Sequence, residues 1–502
     1  SSDLSNWHVA TTGSDLQGDG AHLSPFESIQ TGINAAGDGD TIHVAAGTYV
    51  ENIYIDKNIA VLGEDRETTI IDGDSSGSVV TFGNSVNETA LFSGFTITNG
   101  SGLMEDDPSN NWDNGLSKGG GIYLDESSPI LEQLIIENNT VSGGGGGISK
   151  SSQNSSLHIS HSLVRNNTAK YAGAIHGQNG SNVIMYCEIY NNHATNIAGG
   201  FGGVMSVSNT SIYNNTAVDG AAAMSADATM FNCVVSGNES PNYCIEIGGG
   251  STEIENTIIW GNTSASILCW SGIAISYSNI EGGQDSFLDD GTAPNWGEGN
   301  IDANPRFCEP DSGDFSLAEN SPSAGTGEDG SNMGAFDVEC GDQSLVHSVP
   351  NDYSTIQSAI DESLDGDVVM VQNGTYLENI NFEGKGITVT SVTGPDSTII
   401  DGGGADIVVT FDSNEDENSV LTGFTITNGS ARQPWPYNRG GGINCQNSSP
   451  RMFDLIITGN TGEGGGGGVY IKNASPEMHY CDITDNVAGW NGGGIYIEGV
   501  NQ

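Results

Sequence analysis

Residues able to do chemistry are few in this 502-residue chain, and they are thinly spread. Hydrolysis of a glycosidic bond needs two carboxylates projecting from one face. Asp72 and Asp74 share a strand face, and Asp106 and Asp107 sit in a loop, but neither pair recurs as a groove. Elimination from a uronate needs a basic side chain and a cation to neutralise the acid. Only Lys57, Lys118, Lys150, Lys170, Lys385 and Lys472, with Arg66, Arg165, Arg306, Arg432, Arg439 and Arg451, can serve, and they form no cluster at neighbouring repeat positions. His158 and His161 stand three apart on a predicted strand, so they face opposite ways and share no metal. The remaining histidines are scattered.

Binding chemistry is better represented. Two insertions, at 103–118 and 430–439, carry Trp112 in one case and Trp435 with Tyr437 in the other. Aromatic side chains on loops suit stacking on sugar rings or on a partner's side chains. A second feature is an outward row of Tyr190, Tyr213 and Trp260, with Ser236 between, which suits an extended polymer unless loops cover it. Calcium is the cofactor the sequence points to. Asp15 and Asp19 lie in the Gly-rich "DLQGDG", and Asp412, Asn414 and Asp416 lie in "DSNEDEN". Alternating oxygen ligands of this kind suit a hard cation. The second segment lacks the Gly and distal Glu of an EF-hand loop; solvated turns are the competing reading for both.

The elements that must position these residues are set by repeats. "IQTGINAAGDGDTIHVAAGTYVENI" at 29–53 returns as "IQSAIDESLDGDVVMVQNGTYLENI" at 356–380, and "GFTITNG" occurs at 94–100 and 423–429. The chain is thus a tandem duplication with a shorter second copy, and further domains of the same chain are expected beyond it. A finer repeat lies inside each copy. Asn139, Asn167, Asn192, Asn215, Asn238 and Asn262 recur every 23 to 28 residues, and Asn460 and Asn486 continue the pattern. An aliphatic stands three residues before each, and a small or apolar residue five before. The position two before is mostly polar or amphipathic. That is the period-2 signature of a strand. A strand recurring every ~25 residues with no helical period between is one coil of a parallel β-solenoid. The Asn then forms an inner ladder, each amide bonding the coils above and below. The Gly runs, with 73 glycines in all, mark places where backbones turn or pack closely.

A solenoid's open edges must be covered. Ser24-Pro25-Phe26-Glu27 reads as a capping box opening a short amphipathic helix over 24–37, and Tyr353, Ile356 and Ile360 repeat its stripe. The expected organisation is a first solenoid at 1–340 with its closing segment at 285–340, a linker at 341–349, and a second solenoid at 350–502. Cys187 and Cys233 share an inward position two coils apart, too far for a bridge. Cys244 and Cys269, on neighbouring coils, are within possible reach. Cys308 and Cys340 bracket the closing segment and are the best-placed pair. Cys445 and Cys481 stay open.

The blocks "GGGIYL…IIENN", "AGAIHG…EIYNN" and "GGFGGV…SIYNN" resemble the repeats of bacterial polymorphic outer membrane proteins. The opening "PFESIQTGINAAGDGDTIHVAAGTYVENI" resembles the start of many secreted right-handed parallel β-helix proteins. This resemblance implies an all-β right-handed parallel β-helix in two tandem copies, displayed outside a bacterium or on its cell surface. It implies an adhesive or structural role toward glycans or a surface partner; a polysaccharide lyase or glycoside hydrolase is the alternative. Charge narrows the partners. With 64 acidic and 12 basic residues the net charge is −52, which excludes nucleic acid and an anionic membrane surface. No run of 18 apolar residues exists, so no membrane-inserted segment is expected.

Overall fold

The computed structural model describes residues 5–104, 115–151, 154–178, 180–247, 252–263, 267–270, 272–289, 294–431 and 440–499. Within them the chain is an all-β parallel β-solenoid that divides into unit 1, Ser1–Cys340, and unit 2, Gly341–Gln502. One face of unit 1 is a ten-stranded sheet among the described residues, running from Gly47–Val50 to Asn279–Ile280. Its inner register joins Ile136, Val164, Ile189, Ile212, Val235 and Ile259. All six are buried, because alternate residues of each strand turn into the stack.

The Asn ladder is continuous. Each Nδ2 donates at 3.0 Å to the Oδ1 of the next, from Asn139 through Asn167, Asn192, Asn215 and Asn238 to Asn262. The residue before each rung takes a left-handed φ, from 53° at Asn214 to 69° at Gly261. Asn and Gly are the residues that reach that region cheaply. The written pairs Asn-Asn and Gly-Asn therefore have a backbone cause. At the Gly runs a Cβ on Gly120 would stand 2.4 Å from the carbonyl oxygen of Gly146 in the next coil.

Two short helices, α1 (Ile29–Ala35) and α2 (Ile356–Glu362), turn Ile29 and Ile33, or Ile356 and Ile360, into the cores. Helix α1 begins later than the Ser24 box predicts. Its N-cap is Ser28, whose hydroxyl accepts from Thr31 N. Residues before it are claimed by other partners: Phe26 bridges Val9, and Asp15 accepts from Glu27 N and Ser28 N. Helix termini leave four N–H and four C=O groups open. Glu51 accepts from Ile29 N and Gln30 N, and Glu378 from Ile356 N and Gln357 N. At the other end Lys57 donates to the carbonyls of Ile33, Asn34 and Ala36, and Lys385 to those of Ile360 and Asp361.

Two boundaries differ from expectation. Phe287–Asp289 and Asn295–Trp296 still pair with the solenoid, so the segment that leaves the stack begins near Ile301 rather than at 285. Val346–Val349 pairs with Val368–Val371, so it is part of unit 2 and not linker.

Candidate functional site

The scarce cations are mostly spent on structure. Besides the two helix-capping lysines, Lys118 and Lys150 are 2% and 1% exposed, and Lys170 lies over the Tyr171 ring at 4.7 Å. Arg165 donates to Glu137 Oε2 and to the Tyr190 hydroxyl, both at 2.7 Å. Arg66 is different, because it edges a groove.

That groove, about 670 Å³, runs along a corner of unit 1 past Arg66, Gly94, Gln133, His161, Tyr186 and Glu188. Gly94, Gln133, His161 and Tyr186 occupy the turn between two strands of successive coils, with φ of 85°, 52°, 49° and 53°. Arg66 Nη1 donates to the His161 carbonyl at 2.9 Å, and the His161 ring stacks on Tyr186 with centroids 5.0 Å apart. Tyr186 is half exposed. Glu188 accepts from the Tyr213 hydroxyl at 3.0 Å. An aromatic plane beside a guanidinium and carboxylates can seat a polar ring by stacking and hydrogen bonds. In the sequence, the corner lies six residues before each ladder Asn. Counting that column finds His161 and Tyr186 in adjacent coils. Arg66 gives no such signal, because its contact spans 95 residues.

A second groove, about 460 Å³, lies on unit 2 and is lined by Asn379, Asn381, Asp406, Thr410, Asp412, Asn444, Gln446 and Asn447. Parallel pairing stacks Asn381, Thr410 and Asn444 in one row, with Asn444 buried at its end. Gln446 Nε2 donates to Asn444 Oδ1 at 3.2 Å, and Asn379 Nδ2 to the Ile407 carbonyl at 2.8 Å. This wall is mostly amide.

The aromatic row at 190, 213 and 260 is not an open platform. Tyr213 is 7% exposed, stacked on Tyr190 at 4.7 Å and covered by Phe315 at 5.0 Å. The closing segment supplies Phe307, Phe315, Leu317 and Met333 to bury this side, and Tyr190 and Trp260 pack against the same cluster. Apolar area removed from water accounts for that outcome. Trp112, Trp435 and Tyr437 lie outside the described residues.

Among the described residues no three His, Cys, Asp or Glu side chains converge as a metal site. Asp15 accepts from Glu27 N and from the N–H and hydroxyl of Ser28. Burial raises its pKa, and these bonds, the Ser28 hydroxyl first, outweigh that and hold it below the usual value. Asp19 accepts from Ala21 N, Asp416 from Asn418 N, and Asp412 from the Ser413 hydroxyl; Asn414 sits at φ 69°.

Cys308 and Cys340 are joined by a disulfide. Cys244 and Cys269 are not bridged, and both are buried. The register sets Cys269 opposite Ile247, three residues and ~10 Å of strand from Cys244, beyond disulfide reach. Burial raises the thiol pKa of Cys187, Cys233, Cys244 and Cys445. These thiols are core residues.

No protein-family model matches the sequence, and no curated protein does. Three solved structures show what the chain is similar to. Pectate lyase Pel9A shares 15% identity at a TM-score of 0.42, covering 67% of this chain and 97% of its own. The PL6 family alginate lyase AlyGC shares 13% at 0.29, covering 99% and 89%. Pectin methylesterase PemA from Erwinia chrysanthemi shares 14% at 0.25, covering 57% and 81%. At these values they assign no activity, substrate or site residue to this chain.

Proposed function

We propose that this chain is a carbohydrate-binding β-solenoid, displayed outside a bacterium or on its surface, whose stiff stack presents grooves and loops to a neutral polysaccharide. In this reading it is a right-handed helix in two tandem copies, with α1 and α2 capping the first coil of each. The observation that carries the reading is the amide wall of unit 2: Asn379, Asn381, Asn444, Gln446 and Asn447 line one groove. Amides donate and accept together, as sugar hydroxyls require. A net charge of −52 repels polyanions and leaves neutral chains as the favoured class. The aromatic loops at Trp112, Trp435 and Tyr437 would add stacking, and calcium at Asp15 and Asp19 or at Asp412, Asn414 and Asp416 would order turns.

A glycan array of neutral and uronic polymers, with and without chelator, tests this. Binding to neutral polymers that falls at least tenfold in Asn381→Ala and Asn444→Ala supports it. Binding untouched by both variants, or confined to uronic polymers, overturns it. Loss of binding in chelator supports the calcium role. Release of reducing ends or unsaturated products from any polymer would replace binding by catalysis.

A further inference from the structure

The groove of unit 1 differs in kind from the amide wall of unit 2. Its corner residues Gly94, Gln133, His161 and Tyr186 belong to four successive coils, and Arg66 belongs to the coil before them. The groove therefore crosses four coil spacings, ~19 Å along the stack. Carboxylates stand at both ends, Glu64 and Asp65 at one and Glu188 at the other. One oxygen of each is held in place. Glu64 Oε2 accepts from Ala46 N at 2.9 Å, Asp65 Oδ1 from Glu67 N at 2.8 Å, and Glu188 Oε2 from the Tyr213 hydroxyl at 3.0 Å. The positive charge of Arg66 is offset by its neighbours. Its Nη1 donates to the His161 carbonyl, and its Nε lies 3.7 Å from Glu67. Glu132 stands 3.8 Å from the His161 ring.

We propose that this groove binds a short cationic amino-sugar chain, an oligomer of unacetylated hexosamine. Four coil spacings suit an oligomer better than a single ring. The half-exposed ring of Tyr186 offers an apolar surface on which a pyranose stacks. Protonated amines then meet the carboxylates, and hydrogen bonds with both partners charged are the strong ones. The net charge of −52, which repels polyanions, draws a cationic chain toward the surface. A uronate chain would set its acids against Glu64, Asp65 and Glu188, and a neutral chain would leave their charge unanswered. The site goes beyond the neutral-chain reading of unit 2 and does not rest on it. The corner column also supplies a mild variant. The next three coils place Asn209, Asn232 and Asn256 at the position of Tyr186, at φ of 48°, 51° and 48°. Asn reaches that region at less cost than an aromatic residue, so Tyr186→Asn removes the ring and keeps the backbone.

The test is calorimetric titration of the full chain, at low salt and mildly acidic pH where the amines are protonated. The ligands are a glucosamine tetramer, its N-acetylated form and tetralysine. The glucosamine tetramer is expected to bind, and to bind at least tenfold more weakly to Tyr186→Asn and to Glu188→Gln, each with an unchanged thermal melt. Added salt weakens the complex. The N-acetylated tetramer has no charge and tetralysine has no rings, so each treats the wild-type chain and Tyr186→Asn alike. Absence of binding by the glucosamine tetramer, or an affinity unchanged in both variants, overturns the site. An N-acetylated tetramer that loses as much affinity in Tyr186→Asn overturns the charge requirement, and tetralysine that does so overturns the sugar. Asn381→Ala leaves this binding in place, so failure here and failure of the unit 2 groove are read separately.

Discussion

At the helix that opens each unit the same groups recur. Glu51 and Glu378 take the first N–H groups, Lys57 and Lys385 take the last carbonyls. Asp40 and Asp367 face the residue two before the first strand's last valine, with Trp7 Nε1 at 3.0 Å in one unit and His347 Nε2 at 3.2 Å in the other. On the outer surface the correspondence stops. Arg66 faces Pro395 in the alignment of the two "TIIDG" segments, and Tyr54 faces Asn381. The difference separates two kinds of constraint. A group that satisfies a buried backbone N–H or C=O leaves a penalty behind when it goes, so it is held. An outward group is held only by what it binds, so the grooves are where the units diverge. Trp7 and His347 show that the donor is what matters, since two unlike rings serve one carboxylate.

The sharpest way to break the comparison is the ladder. Asn192→Ala removes donors to Asn215 Oδ1 and the Val164 carbonyl, and the acceptor for Asn167. Unit 1 should lose about 3 kcal/mol, read by calorimetry as one lowered transition beside an unchanged one for unit 2. Two transitions falling together would show that the units do not melt separately. Next is Asp40→Asn. Hydrogen bonds from Gly37 N, Trp7 and Ser5 N hold the Asp40 pKa below the usual value. Its folded pKa is depressed, so its stabilisation is present above about pH 4 and lost as pH falls through the folded value. The variant should cost unit 1 about 2 kcal/mol at pH 7 and much less at pH 3, by denaturant titration.

A smaller effect, of opposite sign, concerns Lys150. It stands opposite inward Leu124 and donates to the Ser155 carbonyl at 2.7 Å. Burial pushes its pKa down to about 8. The unfolded chain keeps that proton to about pH 10.4, so stability rises between about pH 8 and 10.4. Unit 2 carries Ile471 at the matching position of its Gly run. Lys150→Ile should therefore stabilise unit 1 by about 1 kcal/mol at pH 7 and flatten the alkaline rise. A destabilised variant would show that the Ser155 contact outweighs desolvation.

The solenoid was legible because its coil is local: Ile136 and Asn139 repeat within one strand and its turn, and period 2 marks which side faces in. The position of Tyr213 was not. Its row reads as outward, and outward it is, but Phe315 arrives from a segment about 100 residues later. The contact of Arg66 with His161 was hidden for the same reason, since 95 residues separate the two. The lysines were legible only as a count. Lys150 stands in the sequence among the few available cations, and only the pairing with Leu124 shows that it turns inward.

The bond between Cys308 and Cys340 encloses the closing segment, whose Phe315, Leu317 and Met333 pack on the side of unit 1. A protease that cuts this stretch once, anywhere between Glu309 and Glu339, does not divide the molecule. The two halves stay one covalent species, and they part only after a reductant has acted.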